Sequence, residues 1–202
     1  HIWRRMIKFE DYIYTDHNAL SEDLCKEIID RFEKDDRKRE GHILRRGTVV
    51  VDKTLKDSED LFITALKEWK DIDNILAKIV SENIQNYLDH CYEGFNKLDP
   101  RPTPFGSCKF EDAGYNVKSY NPGGYFNWHN DNTQEEQPRM FAMLYYLNDL
   151  TNDGGGHTEF ADGTLVTPTV GKLVMFPAVW NFIHRGCPPL KSKKYIISTY
   201  IH

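Results

Sequence analysis

The chain has no run of 18 apolar residues, no closely spaced cysteine pair, no surplus of positive charge and no internal repeat. Each absence excludes a class. Without a long apolar run there is no transmembrane helix to place, and no membrane partner is expected. Cys25, Cys91, Cys108 and Cys187 are too scattered for a disulfide framework and suit reduced thiols, so a cytoplasmic setting is expected. With 26 basic against 31 acidic residues and a net charge of −5, nothing advertises a nucleic-acid surface. His1-Ile2-Trp3-Arg4-Arg5 lacks the apolar core of a signal peptide and is expected to be an appended remnant ahead of Met6.

What is present is a chain of 202 residues, long enough to bury a core without disulfide or metal staples. A single domain over 6–202 is expected, with helical support and first strands over 6–104 and the core over 105–202. Residues 7 to 16 read as a strand entering a turn. From Ser21, a plausible N-cap, Leu24, Cys25, Ile28, Ile29 and Phe32 recur at helical spacing, and the charged run 33 to 40 ends that helix in solvent. Residues 43 to 52, punctuated by Gly47, read as a strand or a lid-like loop. A longer stripe from Ile72 through Ile75, Leu76, Ile79, Val80, Ile84, Tyr87 and Leu88 to Cys91 predicts a helix packed on something flat and apolar.

After the proline-rich connector 96 to 104, short strand-like runs follow near 107–111, 115–120, 125–129, 139–147, 157–160, 164–167, 172–176, 182–186 and 194–201. Helices first and many short strands afterwards predict helices against one face of a closed or sandwiched antiparallel sheet.

The strongest chemical signal is His129-Asn130-Asp131. If both residues lie on an extended strand, period-2 alternation turns the imidazole and the carboxylate to one face, where they can share an ion. His184, in a strand-like run 55 residues later, is the best third donor. Two imidazoles and one carboxylate leave open positions on an octahedral ion, the pattern of non-haem Fe(II) oxygenases. Lys194 shares a strand face with Ile196, Ser198 and Tyr200. If that face lines a barrel, its ammonium calls for an anion. Parity assigns Thr158 inward beside it and leaves His157 outside, and Tyr120 adds a phenolic hydroxyl.

Together these residues resemble the prolyl 4-hydroxylase-like branch of the Fe(II)/2-oxoglutarate-dependent dioxygenases. The resemblance rests on Tyr120-Asn121-Pro122-Gly123-Gly124-Tyr125, His129-x-Asp131, Arg139 opening a strand to Leu147, Gly155-Gly156-His157-Thr158-Glu159-Phe160, Gly171 to Phe176, and His184-Arg185-Gly186-Cys187-Pro188 followed by Lys194. It covers residues 107 to 202 in detail. It implies an α+β fold with a double-stranded β-helix (jelly-roll) core and N-terminal helices packed against one sheet.

By the same resemblance His129, Asp131 and His184 would bind Fe(II). Lys194, Thr158 and Tyr120 would hold 2-oxoglutarate, and Arg139 and Tyr200 would face the substrate. The family often carries tryptophan where this chain has Tyr200. Proline in a peptide or protein is the expected substrate, O2 the co-substrate and ascorbate an optional reductant. Two alternatives stay open: an oxygenase for a small molecule or another side chain, and an inactive jelly-roll binding module. The loop 132–138, directly after Asp131, is a candidate lid.

Overall fold

The structure is a computed structural model and describes residues 7–132 and 138–202. The remnant expected at 1–5 and most of the candidate lid therefore lie outside the described residues. Two α-helices, α1 (Glu22–Lys34) and α2 (Lys70–Phe95), precede most of the strands. The first strands are β1 (Tyr14–Asp16), β2 (Arg39–Glu40), β3 (Ile43–Arg45), β4 (Thr48–Val50) and β5 (Glu59–Phe62). After α2 come β6 (Asn116–Tyr120), β7 (Phe126–His129), β8 (Phe141–Tyr146), β9 (Thr158–Phe160) and β10 (Leu165–Val166). The last are β11 (Leu173–Pro177), β12 (His184–Gly186) and β13 (Lys194–Ile201).

All the pairings are antiparallel. A seven-stranded sheet runs β1-β11-β8-β13-β6-β5-β2, a four-stranded sheet runs β10-β9-β12-β7, and β3 and β4 form a separate hairpin. The larger sheet is covered on both faces. Val117, Met143, Tyr145, Leu173, Met175 and Ile197 pack with α1 and α2 through residues such as Ile28, Phe32, Leu76 and Val80. The alternate residues Ala142, Tyr146, Val174, Phe176 and Ile196 pack with Phe160 and Val166 of the smaller sheet. Period-2 alternation along β13 thus sends Ile197 and Ile201 to the helices and Lys194, Ile196, Ser198 and Tyr200 to the other side.

Local chemistry explains the elements. Ser21 caps α1, its hydroxyl accepting from the Leu24 amide at 3.2 Å, with Glu22 and Asp23 in the first turn and Arg31 and Lys34 in the last. In the β3–β4 hairpin Arg46 and Gly47 both have positive φ, 52° and 77°, the backbone a two-residue turn requires. The segment 43–52 is therefore a hairpin and not one strand.

Three further expectations change, and one strand was not expected. Residues 7–16 hold a 3-10 turn, Phe9–Tyr12, before β1, because the Asp11 carboxylate accepts from the Lys8 amide at 2.8 Å and folds the chain back. Residues 107–111 form no strand: Phe105 and Phe110 turn inward to pack on Phe141, leaving a single bridge at Asp112. Ile75 does not belong to the buried stripe of α2 and is exposed. Strand β5 was not legible, since Glu59-Asp60 reads as a solvated pair, yet Asp60 is buried.

Candidate metal centre

β7 and β12 are antiparallel neighbours, and His129 stands directly opposite His184. Their ring centroids are 4.3 Å apart. β7 ends at His129, so Asp131 lies just beyond the strand rather than on it. The turn still returns its carboxylate to the imidazoles: Oδ1 is 3.7 Å from His129 Nε2, and Oδ2 is 3.4 Å from His184 Nε2. One ligand atom from each of the three residues lies within 4.8 Å of the others, the only such grouping among the described residues.

The donor set fits a divalent ion. His129 Nδ1 faces the Asn127 carbonyl at 2.7 Å and His184 Nδ1 faces the Phe182 carbonyl at 3.0 Å. A carbonyl only accepts, so each Nδ1 carries the proton and each Nε2 offers a lone pair to the shared point. Burial, followed by the charge of His184, pushes the His129 pKa down to about 3, which keeps its imidazole neutral. The Phe126 ring stacks on His129 at 3.5 Å and fixes its plane. Burial alone would raise the Asp131 carboxyl, but the two imidazoles, Arg139 and the Tyr200 hydroxyl together hold it below its ordinary value. The Tyr200 hydroxyl donates to Asp131 Oδ1 at 3.0 Å, with its own pKa raised by burial and by the Asp131 charge.

Behind the triad is a small cavity of about 40 Å³ that reaches Lys194, Thr158 and Tyr120. Lys194 is 3% exposed and makes no hydrogen bond or ion pair among the described residues. Its ammonium sits 5.6 Å from the ring centroids of both Tyr120 and Tyr146. Burial lowers its pKa to about 8. The Thr158 and Tyr146 hydroxyls are 2.6 Å apart, so a hydroxyl not foreseen from the sequence backs Thr158, which lines the cavity. His157, whose carbonyl accepts from the Cys187 amide, is not part of the cluster.

In front of the triad opens a cleft of about 530 Å³. The Arg139 guanidinium lies 3.6 Å over the Tyr200 ring in this cleft, so both residues expected to face a substrate do line it. Arg45 also reaches the cleft, paired with Asp52 at 2.7 Å. Sequence reading missed a polar group on the cleft wall. Lys56 Nζ is 2.6 Å from Asp60 Oδ2, Ser58 donates to Asp60 Oδ1 at 2.7 Å, and Lys118 stands across from Asp60 in the β5–β6 register. A lysine or aspartate in mid-strand reads as solvated, and only the strand pairing reveals its burial.

Comparison with known proteins agrees with this geometry. Residues 115–202 match the family model described as the 2OG-Fe(II) oxygenase superfamily. No curated protein matches the chain. Among solved structures, it is similar to the viral collagen prolyl hydroxylase of Paramecium bursaria Chlorella virus-1 in its 2OG complex, at 18% identity and a TM-score of 0.64, covering 94% of this chain and 95% of that one. A Pseudomonas putida prolyl-4-hydroxylase gives 16% identity and a TM-score of 0.63, covering 95% and 92%. A Trichoplax adhaerens prolyl hydroxylase, in complex with a hypoxia inducible factor oxygen degradation domain peptide fragment, gives 17% and 0.70, covering 95% and 83%. At these identities the likeness establishes a shared fold. The chain resembles the prolyl 4-hydroxylase-like 2-oxoglutarate and Fe(II) oxygenases in that fold and in the matched C-terminal segment.

Proposed function

We propose that the protein is an Fe(II)- and 2-oxoglutarate-dependent dioxygenase that hydroxylates proline in a peptide or protein. The two facing sheets are read as a double-stranded β-helix core, with residues 6–202 forming one catalytic domain. The observation that carries the reading is the His129–Asp131–His184 cluster, within 4.8 Å, opening onto a cavity that ends at the unpaired, buried Lys194. A hydrolytic metal site has no need of a buried cation there, whereas a dianionic co-substrate held beside the metal would.

The chemistry supplied at such a centre is oxidative decarboxylation of 2-oxoglutarate to succinate and CO2, coupled to hydroxylation of a substrate C–H bond with O2; ascorbate serves as reductant. The chain's own residues divide the supporting work. His129 and His184 present neutral Nε2 atoms, and Asp131 supplies the single negative charge. Lys194 would pair with the distal carboxylate, with Thr158 and Tyr120 beside it and the Tyr146 hydroxyl holding that of Thr158. Leu144 and Ile196 on the same cavity wall exclude water. Tyr200 holds the Asp131 carboxylate in orientation and, stacked under Arg139, forms the wall against which the proline segment lies. The free thiols Cys25, Cys91, Cys108 and Cys187 support a reducing, cytoplasmic compartment.

The test is incubation with Fe(II), 2-oxoglutarate and a broad panel of proline-containing peptides. A gain of one oxygen on proline with stoichiometric succinate is the expected result. Succinate formation without oxygen on any proline across the panel overturns the prolyl assignment.

A further inference from the structure

We propose that Lys118 anchors a carboxylate of the substrate, so that the preferred proline segment carries an aspartate or glutamate beside the reacting residue. The inference deepens the prolyl hydroxylase reading and rests on it. Lys118 is 7% exposed, on the cavity face of β6, and lines both the small cavity and the open cleft. A buried ammonium without a counter-charge is costly, and such groups persist where something pairs with them.

No carboxylate of the described residues forms an ion pair with it, and Asp60 and Asp131 act on it only through their charge. Its neighbour Asp60 is engaged by Lys56 at 2.6 Å and Ser58 at 2.7 Å. Lys118 itself makes no hydrogen bond or ion pair among the described residues, and the charges of Lys56, Asp60, Asp131 and Arg139 all act on it. Of the cations that line the cleft, Lys56 is matched by Asp60 and Arg45 by Asp52. Lys118 and Arg139 are the two left without a carboxylate among the described residues. The metal triad does not absorb them, because a divalent ion with Asp131 and a 2-oxoglutarate dianion, facing Lys194, sums to zero. Among the described residues the loaded cleft therefore keeps two positive charges, which favour an anion.

Position separates Lys118 from the co-substrate. Lys194 pairs with Tyr120 in the β13–β6 register, whereas Lys118 pairs with Ile196 and Asn116 with Ser198. Each step moves two residues toward the open cleft. Asn116 adds a second unsatisfied group, since its buried Oδ1 has no partner and can accept an N–H from a peptide backbone. An ammonium and an orphan carbonyl, one step apart on a single strand, match a carboxylate and an amide of one extended segment.

The test measures peptide binding without turnover, on the whole 202-residue chain loaded with Mn(II) and 2-oxoglutarate in the absence of oxygen. Labelled peptides carry Asp or Glu beside proline, or the isosteric Asn or Gln, each with a free or an amidated C-terminus. The acidic peptides should bind wild type about tenfold or more tightly than their amides, the scale of a charge-assisted bond in a desolvated site. Lys118→Met should reduce them to the level of the amides while 2-oxoglutarate affinity stays within about twofold, since Lys194 holds that ligand. Lys118→Glu should transfer the preference to lysine-flanked peptides.

A preference that follows only the free C-terminus, with acidic and amide side chains bound equally, overturns the assignment to a flanking aspartate or glutamate. Equal binding of acidic and amide peptides to wild type, which needs no variant to fold, overturns the proposal. So does a Lys118→Met variant that weakens 2-oxoglutarate as much as peptide. Turnover measured separately in air distinguishes the two readings. Lys118-dependent binding with no hydroxylated proline removes the prolyl reading and leaves the anchor; hydroxylation indifferent to flanking charge does the reverse.

Discussion

The two faces of the seven-stranded sheet are built from the same strands and are both packed with apolar residues, but one of them also carries buried charge. Toward α1 and α2, Val117, Met143, Tyr145, Leu173 and Ile197 make a closed apolar core. Toward the four-stranded sheet, Ala142, Tyr146, Val174, Phe176 and Ile196 pack on Phe160 and Val166, but the face also carries Lys118, Tyr120, Lys194, Ser198 and Tyr200, four of them buried and two charged. A protein that only needed to fold would fill both faces with hydrocarbon, because an unpaired buried ion costs far more than a packed side chain returns. The contrast teaches that one face holds the sheet together and the other also keeps polar groups for a ligand.

That division can be broken from either side. The largest effect is expected at the metal triad. His184→Ala should lower succinate formation by more than about 100-fold, beyond the cost of losing an outer-shell partner, with little change in the melting temperature. A parallel loss of fold and activity would mean that the imidazole is structural. Next is Lys194→Ala, which should weaken 2-oxoglutarate by about 100-fold, the cost of deleting one partner of a buried pair. Metal affinity, read by titration with Mn(II), should stay within about threefold; equal losses of both would show that Lys194 does not face the co-substrate.

On the opposite face, Leu76→Ala removes a fully buried side chain of α2 and should cost about 2–5 kcal/mol of stability in denaturant unfolding. Co-substrate affinity at low temperature should be unchanged, and a matching loss of 2-oxoglutarate binding would erase the distinction between the faces.

The pH dependence sharpens the comparison further. Burial holds Lys194 near about 8 in the free protein, and only the ammonium form pairs with a carboxylate. Binding an anion raises that pKa, so above about 8 each binding event takes up a proton. The dissociation constant for 2-oxoglutarate should then rise with pH by up to about tenfold per unit. Constant affinity from pH 7 to 9.5, by calorimetry, would show that the charge is not used. The smallest effect belongs to the helix cap: Ser21→Ala should cost about 1 kcal/mol of stability and leave the cleft untouched.

Legibility followed the same line. Strand β13, expected over 194–201, has those bounds, its run of β-branched and aromatic residues placing Ile197 and Ile201 on the helix side. The helix of Ile72 and Leu76 was legible from its stripe, although Ile75 proved to be exposed where the helix surface turns from the sheet. His129, Asp131, His184 and Lys194 stood out because imidazole, carboxylate and ammonium are conspicuous among apolar strand residues. Tyr146 did not, since a tyrosine in a core strand reads as packing, and its hydroxyl acquires meaning only from Thr158 at 2.6 Å. The Lys56, Asp60 and Lys118 group was equally hidden, because charged residues in short strands read as solvent-facing until a neighbouring strand covers them.

The Ser21 cap, the helical stripes and the side chains able to hold an ion or an anion were readable along the chain, because they depend on the local periods of strand and helix. Only the tertiary structure decided that His129 faces His184 across β7 and β12, that the turn after β7 returns Asp131 to them, and that Lys118 is left unpaired beside Asp60. Those facts depend on strand register between segments distant in the chain, which no local period encodes.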